Sequence, residues 1–266
     1  MKADFVTMTP AKAKELLAKN THNRPANKKH VNGLAKDMLA GRWKPNGDTI
    51  RVGNGRLIDG QHRLIACVQS GVSFETLLVT GIENDVFDTI DTGKRRGGAD
   101  TLAVHGRKNY TLLAAAVVIV ELYYSGRAGL RLTYGGGATN ADYLEWVKKY
   151  VGLVDSVEHC STRTTRLVQP SIMSACHYIF SKIDPALADD FIERLSTGEN
   201  VTKDSPMSKL RERLLQNYTS LKKMDRAHIF TMIVRAWNHE RSGKNLKRLR
   251  AVYSVDSTEE RMPTAV

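Results

Sequence analysis

The apolar positions along the chain follow two different patterns, and the change falls near residue 100. Before it, short apolar runs typical of strands lie between segments with helical spacing. After it, the apolar residues follow the helical period alone and predict no further strand. We therefore predict an α+β protein with a small mixed α/β domain over residues 1–99, an all-helical domain over 100–254 and a flexible polar tail over 255–266.

Strands and helices in the first hundred residues are predicted from this pattern together with turn and cap residues. Strands are expected over 4–8, 49–52, 56–58 and 74–80, and helices from Pro10 onward and over about 31–41, 61–70 and 84–90. Gly53-Asn54-Gly55 is a hairpin signal between the second and third strands. Thr9 is a helix N-cap before Pro10, and Gly71 has the position of a helix-ending glycine.

Helices alone are predicted in the rest of the chain. Their expected ranges are 110–124, 140–150, 170–182, 185–195, 207–218 and 223–241. The segment from Tyr110 to Tyr124 is apolar on nearly every side, so we expect it at the centre of the helical domain. The glycine-rich segment 127–139 is predicted to be a loop.

The chain is long enough and has enough hydrophobic residues to form a buried core. It has 266 residues, 41% of them hydrophobic, and its longest apolar stretch, Leu112–Val120, is far shorter than a membrane span. The start of the chain does not have the pattern of a signal peptide. Cys67, Cys160 and Cys176 lack the spacing of metal ligands, which predicts buried, reduced thiols and no metal site. We expect a cytoplasmic protein with no membrane partner.

The net charge of +12 favours an anionic partner, of which nucleic acid is the usual one. Residues 1–100 contain 16 basic and 11 acidic residues, residues 101–200 contain 10 of each, and residues 201–266 contain 14 and 7. Two basic clusters are candidate contacts to a DNA or RNA backbone: Lys94, Arg95 and Arg96, and Lys244, Lys247, Arg248 and Arg250. A solvated turn explains the first cluster equally well. Trp237 is expected in the core rather than as a platform on which bases stack.

The most specific motif is the run from Leu57 to Ala66, Leu-Ile-Asp-Gly-Gln-His-Arg-Leu-Ile-Ala. A strand ends at an Asp-Gly pair, and a helix begins at once with three polar side chains in its first turn. Because the first N–H groups of a helix have no helical partner and carry partial positive charge, this corner suits a phosphate group. The residues expected to hold the phosphate are Gly60, Gln61, His62 and Arg63.

Three pieces of the first hundred residues resemble the N-terminal ParB-like domain of the ParB/sulfiredoxin superfamily. They are Asn23-Arg24-Pro25 after a strand and a helix, a helix that ends in Gly41-Arg42-Trp43, and Ile58-Asp59-Gly60-Gln61-His62-Arg63 before an apolar helix. The resemblance implies a ParB/sulfiredoxin-like mixed α/β fold whose loop and helix hold the phosphates of a nucleotide, CTP in ParB or ATP in sulfiredoxin. It also implies that Asn23 and Arg24 close the pocket from the other side.

The Asp-Gly-Gln-His-Arg form of the motif looks like that of phage and mobile-element proteins and of proteins linked to DNA modification. Gln61 stands where sulfiredoxins have their catalytic cysteine, so sulfinic acid reduction is not expected. Met207-Ser208-Lys209-Leu210-Arg211 and Ala236-Trp237-Asn238 are similar to the C-terminal part of the same phage proteins. The second half has no clear helix-turn-helix pattern, which argues against site-specific DNA recognition of the ParB type.

Each motif residue also has a structural alternative. Arg63 would otherwise pair with Asp59 or another carboxylate, and Gly60 would form a plain tight turn. Asp59 would either cap the helix or hold Mg²⁺ through water, and His62 would act as a general acid or base, a phosphate donor or a structural hydrogen-bond partner. A run of aspartates with helical spacing is interpreted as a solvated face rather than a metal site: Asp85, Asp88 and Asp91.

Three functions follow from these observations. The first is nucleic-acid binding by a ParB-like protein of a phage or mobile element, which also holds a nucleotide. The second is catalysis at the same site by a DNA-modification enzyme, nuclease, phosphotransferase or nucleotide hydrolase, with His62 and Asp59 as catalytic residues and Mg²⁺ as cofactor. The third is an interaction protein whose site has degenerated. A homodimer is open in each case, and a phage-encoded protein would act in the cytoplasm of its bacterial host.

Overall fold

The chain forms two compact units in a computed structural model that describes residues 1–21, 23, 25–83, 97–126, 138–163, 165–243, 249 and 263–266. The first, the α/β unit, comprises Met1–Arg95 and Gly136–Ala141, and the second, the helical unit, comprises Arg96–Gly135 and Asp142–Val266. The described residues combine one four-stranded sheet with eleven helices, which confirms the predicted α+β class. The predicted helix over 84–90 and most of the predicted loop over 127–139 lie outside the described residues.

The α/β unit contains a mixed sheet and three helices. Its strands are β1 (Lys2–Met8), β2 (Thr49–Gly53), β3 (Leu57–Asp59) and β4 (Phe74–Ile82), and its helices are α1 (Pro10–Leu17), α2 (Lys28–Leu39) and α3 (Gln61–Ser70). The strand order is β1-β4-β2-β3. Strand β4 is antiparallel to β1 and parallel to β2, and β2 pairs with β3 as an antiparallel hairpin. The predicted hairpin is therefore confirmed.

Cap and turn residues determine where these elements begin and end. The Thr9 side chain accepts a hydrogen bond from the N–H of Lys12, and Pro10 begins α1. Gly71, with a φ of 71°, ends α3. Helix α3 packs against both α1 and α2, and its buried Leu64 shares one apolar core with residues of the sheet. This packing holds the first turn of α3 at the end of β3.

The later part of the chain is helical throughout its described residues. Its helices are α4 (Gly98–Val104), α5 (Tyr110–Tyr124), α6 (Asn140–Lys149), α7 (Leu153–Ser161), α8 (Pro170–Ser181), α9 (Pro185–Thr197), α10 (Pro206–Thr219) and α11 (Arg226–Arg241). Helices α4 and α7 are not among those predicted. Helix α4 begins directly after Gly97, in a glycine pair that is typical of a loop, and α7 has only nine residues.

The core of the helical unit is built around α5 and α8. Most residues of α5 are buried, as expected, and all ten residues from Ser171 to Phe180 in α8 are buried. The Trp237 side chain is fully buried and stacks on Phe180 with ring centroids 4.3 Å apart, which confirms its predicted place in the core. All three cysteines are free and buried, again as expected. None of the described helices has both the length and the apolar character of a membrane span.

The last four residues differ from the predicted flexible tail over 255–266. The Trp237 indole N–H donates a hydrogen bond to the carbonyl of Val266 (3.1 Å), and the N–H of Ala265 donates to the Tyr123 hydroxyl (2.8 Å). Ala265 itself is buried. The buried Ala265 side chain and these hydrogen bonds hold the last residues against the helical unit. Residues 255–262 lie outside the described residues.

Candidate functional site

The predicted motif forms a tight corner between strand β3 and helix α3. Strand β3 ends at Asp59, Gly60 has a φ of 99°, and α3 begins at Gln61. A Cβ atom on residue 60 would clash with Cδ1 of Ile50 and lie 3.4 Å from the Ile50 Cα. Glycine therefore meets two requirements here, a left-handed backbone conformation and a close approach to strand β2.

Arg63 is held by acidic and carbonyl groups of its own unit. Its Nη2 donates to the carbonyl of Thr49 (2.9 Å) and to Oδ2 of Asp59 (3.1 Å), and its Nη1 lies 3.4 Å from a carboxylate oxygen of Asp48. Only 13% of the Arg63 side chain is exposed. The pairing with Asp59, which the sequence left open as an alternative, is present. Direct phosphate binding by Arg63 stays a prediction, because an anion would have to compete with two carboxylates.

Asp59 does not cap helix α3, as the sequence had allowed: the N-cap residue is Gly60, which makes no side-chain cap hydrogen bond. One carboxylate oxygen accepts the N–H of Gly60 (2.6 Å), and the other binds Arg63 and lies 3.9 Å from Nη1 of Arg51. Two guanidinium groups already offset its charge, and this environment disfavours a further cation at the same carboxylate. A water-mediated Mg²⁺ ion and a catalytic role for Asp59 stay predictions.

Gln61 and Asn23 connect the corner to the loop that follows α1. Gln61 is 6% exposed, and its side-chain oxygen accepts a hydrogen bond from Nδ2 of Asn20 (3.1 Å). The Asn23 amide donates to Oδ1 of Asn20 (2.6 Å) and to the carbonyl of Leu57 (2.9 Å). These bonds attach the loop to the end of β3 and bring Asn23 close to the motif. A role for Asn23 in closing a nucleotide pocket stays a prediction. Arg24 lies outside the described residues.

His62 connects helix α3 to the start of helix α2. Its Nε2 accepts a hydrogen bond from the backbone N–H of Asn27 (3.1 Å), and its ring centroid lies 5.1 Å from that of His30. The Asn27 side chain in turn caps α2 by accepting the N–H of His30. His62 thus has the structural hydrogen bond that was one of its three predicted roles. Its action as a general acid or base stays a prediction.

The corner therefore brings together the N-termini of two helices. Lys28 and Lys29 occupy the first turn of α2 and are exposed, while His62 and Arg63 occupy the first turn of α3. Both turns are fully described, and neither contains an acidic residue. Because the first N–H groups of each helix lack helical acceptors, the corner has the backbone donors and the charge that suit an anion.

Several residues of the corner were not singled out from the sequence. Asn20, Asp48 and Thr49 contact the motif through tertiary packing and have no local signal. Asn27 has one, because an asparagine directly before Lys28 and Lys29 matches an N-cap. The predicted nucleic-acid contacts lie outside the described residues: Lys94, Arg95, Arg96, Lys244, Lys247, Arg248 and Arg250.

Cys67, the cysteine nearest to the motif in the sequence, is poorly placed to act as a nucleophile at this corner. Cys67 is fully buried one turn and a half further along α3, and its Sγ lies 3.6 Å from the carbonyl of Met8. Burial raises the pKa of the Cys67 thiol, so the thiolate that would act as nucleophile is disfavoured.

Comparisons of the chain with protein-family models, with curated proteins and with solved structures found no match.

Replacing Arg63 with alanine is expected to lower the free energy of unfolding of the α/β unit by about 2 kcal/mol, because hydrogen bonds to charged groups contribute roughly 1.5–3 kcal/mol each. The matched control is Arg51→Ala, since Arg51 makes a single 3.9 Å approach to the same Asp59 carboxylate and is more exposed. For the control we expect a loss of less than about 1 kcal/mol. Urea denaturation followed by circular dichroism measures both, and equal losses would show that Arg63 does not organise the corner.

Proposed function

We propose that the protein binds nucleic acid by contacting the phosphate groups of the nucleic acid. The corner, where the N-termini of α2 and α3 meet, is proposed as one of the contacts. The observation that carries the proposal is the 3.1 Å hydrogen bond from the Asn27 N–H to Nε2 of His62. It joins the N-cap of α2 to a side chain in the first turn of α3, so the two helix N-termini, each with a partial positive charge of about half an elementary charge, are neighbours. A phosphate group placed there interacts favourably with both helix ends.

The side chains around this point support an anionic ligand. A cation in the first turn of a helix costs a few tenths of a kcal/mol, and Lys28 and Lys29 both occupy such positions without an acidic neighbour in the described turn. A bound phosphate would reverse the sign of that interaction. Since the charge of Arg63 is offset by Asp59 and Asp48, we assign the direct contacts to Lys28, Lys29 and His62.

The net charge and the family resemblance support the same class of ligand. The chain has 40 basic against 28 acidic residues, an excess larger than one mononucleotide site would require. Such an excess favours a polyanion, because each neutralised phosphate of a duplex releases counterions. The resemblance to ParB-like domains implies phosphate binding at the same loop. We therefore propose nucleic acid as the main ligand, and the triphosphate of CTP or ATP as a second ligand of the corner.

The test is the salt dependence of binding to a labelled duplex DNA of 20 base pairs, measured by fluorescence anisotropy. For the Lys28→Ala/Lys29→Ala double variant we expect a dissociation constant about tenfold higher and a salt slope smaller by about two, since each phosphate contact contributes about 0.9. The matched control is Lys222→Ala/Lys223→Ala, an exposed pair of adjacent lysines between α10 and α11. Equal losses in both pairs would contradict a specific role for the corner.

Further binding measurements distinguish between the possible ligands. Single-stranded RNA of equal length replaces the duplex, and CTP and ATP, each with and without Mg²⁺, are added as competitors. Competition by a nucleotide that disappears in the Lys28→Ala/Lys29→Ala variant would support the nucleotide as a ligand of the corner. If the wild-type protein binds neither DNA nor RNA, the proposed function is wrong.

A further inference from the structure

Three helices of the helical unit bring two histidines and an aspartate into contact. His177 on α8 has its Nε2 2.8 Å from Oδ1 of Asp189 on α9, and His159 on α7 has its Nδ1 3.7 Å from the same oxygen. The two imidazole rings are stacked, with centroids 4.3 Å apart and planes inclined by 20°. One ligand-type atom from each residue lies within 4.8 Å of the other two.

A serine beside this cluster does not make it a hydrolase triad. Oγ of Ser156 lies 2.9 Å from Nδ1 of His177, so serine, histidine and aspartate are in line. Ser156, however, is only 2% exposed, whereas 59% of the Asp189 side chain is exposed. A nucleophile has to reach its substrate, and here the accessible end of the line is the carboxylate.

Hydrogen bonds within the helical unit explain the position of the buried His177 ring but not that of the His159 ring. His177 has a partner at each ring nitrogen, Ser156 at Nδ1 and Asp189 at Nε2. The Nδ1 of His159 lies 3.7 Å from the shared carboxylate oxygen, which is beyond hydrogen-bonding distance. Placing a second imidazole against one carboxylate oxygen in this way costs desolvation without a compensating hydrogen bond.

We propose that His159, His177 and Asp189 form a binding site for a divalent transition metal ion of the zinc type. A tetrahedral centre with bonds of about 2.1 Å places its ligand atoms roughly 3.4 Å apart. The observed separations of 2.8 and 3.7 Å from the carboxylate oxygen lie on either side of this value, and the two imidazole nitrogens lie within 4.8 Å of each other. Because an imidazole nitrogen binds a metal in the plane of its ring, one of the two stacked rings would have to rotate to complete the site. Two imidazoles and one carboxylate are a ligand set that suits Zn²⁺.

The surroundings assign one ligand atom to each residue. Ser156 occupies Nδ1 of His177, which leaves Nε2 for the metal and orients the ring as outer-shell partners do. For His159 the ligand atom is Nδ1, since this nitrogen is the one near Asp189. Because the Asp189 side chain is largely exposed, the remaining coordination position would face solvent.

Two neighbouring groups stay outside the ligand set. Cys160, which adjoins His159, is fully buried and belongs to no group of possible metal ligands in the described chain. The charge of the nearby Arg163 is offset by Glu193, whose Oε2 is 2.7 Å from Nε.

The experiment is a titration of the full chain, first freed of metal with a chelator, with ZnCl₂ in a calorimeter. We expect one equivalent of Zn²⁺ to bind to this site, and the affinity to fall about 100-fold or more in His159→Gln and Asp189→Asn, which each remove a ligand. The control is His228→Gln. His228 also pairs with an aspartate, Asp225 at 2.8 Å, but belongs to no group of three ligand residues in the described chain.

Unchanged affinity in both ligand variants, or no Zn²⁺ binding by the wild type, would overturn the proposal. A second measurement needs no variant and so does not depend on whether the variants fold. Nitrogen NMR of the wild-type imidazoles should show that Zn²⁺ shifts Nε2 of His177 and Nδ1 of His159. If Zn²⁺ shifts other histidines but leaves these two unchanged, the proposed site is likewise wrong.

Discussion

Alanine in place of Gly60 is expected to lower the free energy of unfolding of the α/β unit by about 3 kcal/mol. The left-handed backbone conformation, with a φ of 99°, costs a residue with a Cβ roughly 1–2 kcal/mol. The new methyl group would also meet the Ile50 side chain inside the core, and overpacking of this kind costs about 1–3 kcal/mol. The two contributions arise at the same atom and act together.

The control separates backbone strain from overpacking. Gly55, in the hairpin between β2 and β3, has a φ of 77°, but a Cβ there would meet no described atom within 4 Å. Gly55→Ala should therefore cost only about 1 kcal/mol. Urea denaturation followed by circular dichroism gives both values, and hydrogen exchange of peptides from β2 and α3 locates the loss. Equal destabilisation in the two variants would contradict the predicted clash with Ile50.

The substitution Trp237→Ala is expected to lower the free energy of unfolding of the helical unit by about 4 kcal/mol, within the range for removal of a buried aromatic side chain. Trp237 is fully buried, stacks on Phe180 and meets the edge of Phe191 at a centroid distance of 5.7 Å. Its indole N–H also holds the carbonyl of Val266, so hydrogen exchange at the C-terminus should rise in the variant.

Trp237→Phe is the matched variant, because it keeps an aromatic ring on Phe180 and loses the indole N–H and part of the volume. We expect it to cost about 1–2 kcal/mol, in the range for one lost hydrogen bond and a small cavity. Thermal and urea denaturation of the full chain measure the difference. If Trp237→Ala instead weakened DNA binding and left stability unchanged, the tryptophan would be a stacking platform and its place in the core would be wrong.

Local chemistry explains why so many elements of the α/β unit follow from the sequence. A threonine cap before Pro10, a glycine-rich hairpin and Gly71 after an apolar helix act over a few residues, so their effect does not depend on the rest of the fold. The same reasoning failed where the local signals were weak. Helix α4 starts at a glycine pair, and α7 has only nine residues, fewer than the roughly 11 to 18 over which a helical period is recognised.

The backbone conformation of the candidate site was predicted from the sequence, but the partners of its side chains were predicted only in part. The sequence places a strand end, a positive-φ glycine and a helix start at the motif, and these are present. It left two alternatives for Arg63, a phosphate or a carboxylate, because the choice depends on Asp48 and Thr49, which are distant in sequence. Likewise, nothing near His62 in the sequence shows that it binds the N–H of Asn27.

The sequence by itself determined the α+β class, most helices and strands, the strand–glycine–helix backbone of the motif and the excess of positive charge, since all of these depend on composition or on interactions between near neighbours. Only the tertiary structure decided which partners Arg63 and His62 have, where the last four residues dock, and that His159, His177 and Asp189 meet. The physical reason is that hydrogen bonds and coordination act over about 2–3 Å. Residues on separate helices come that close only after the apolar core has packed.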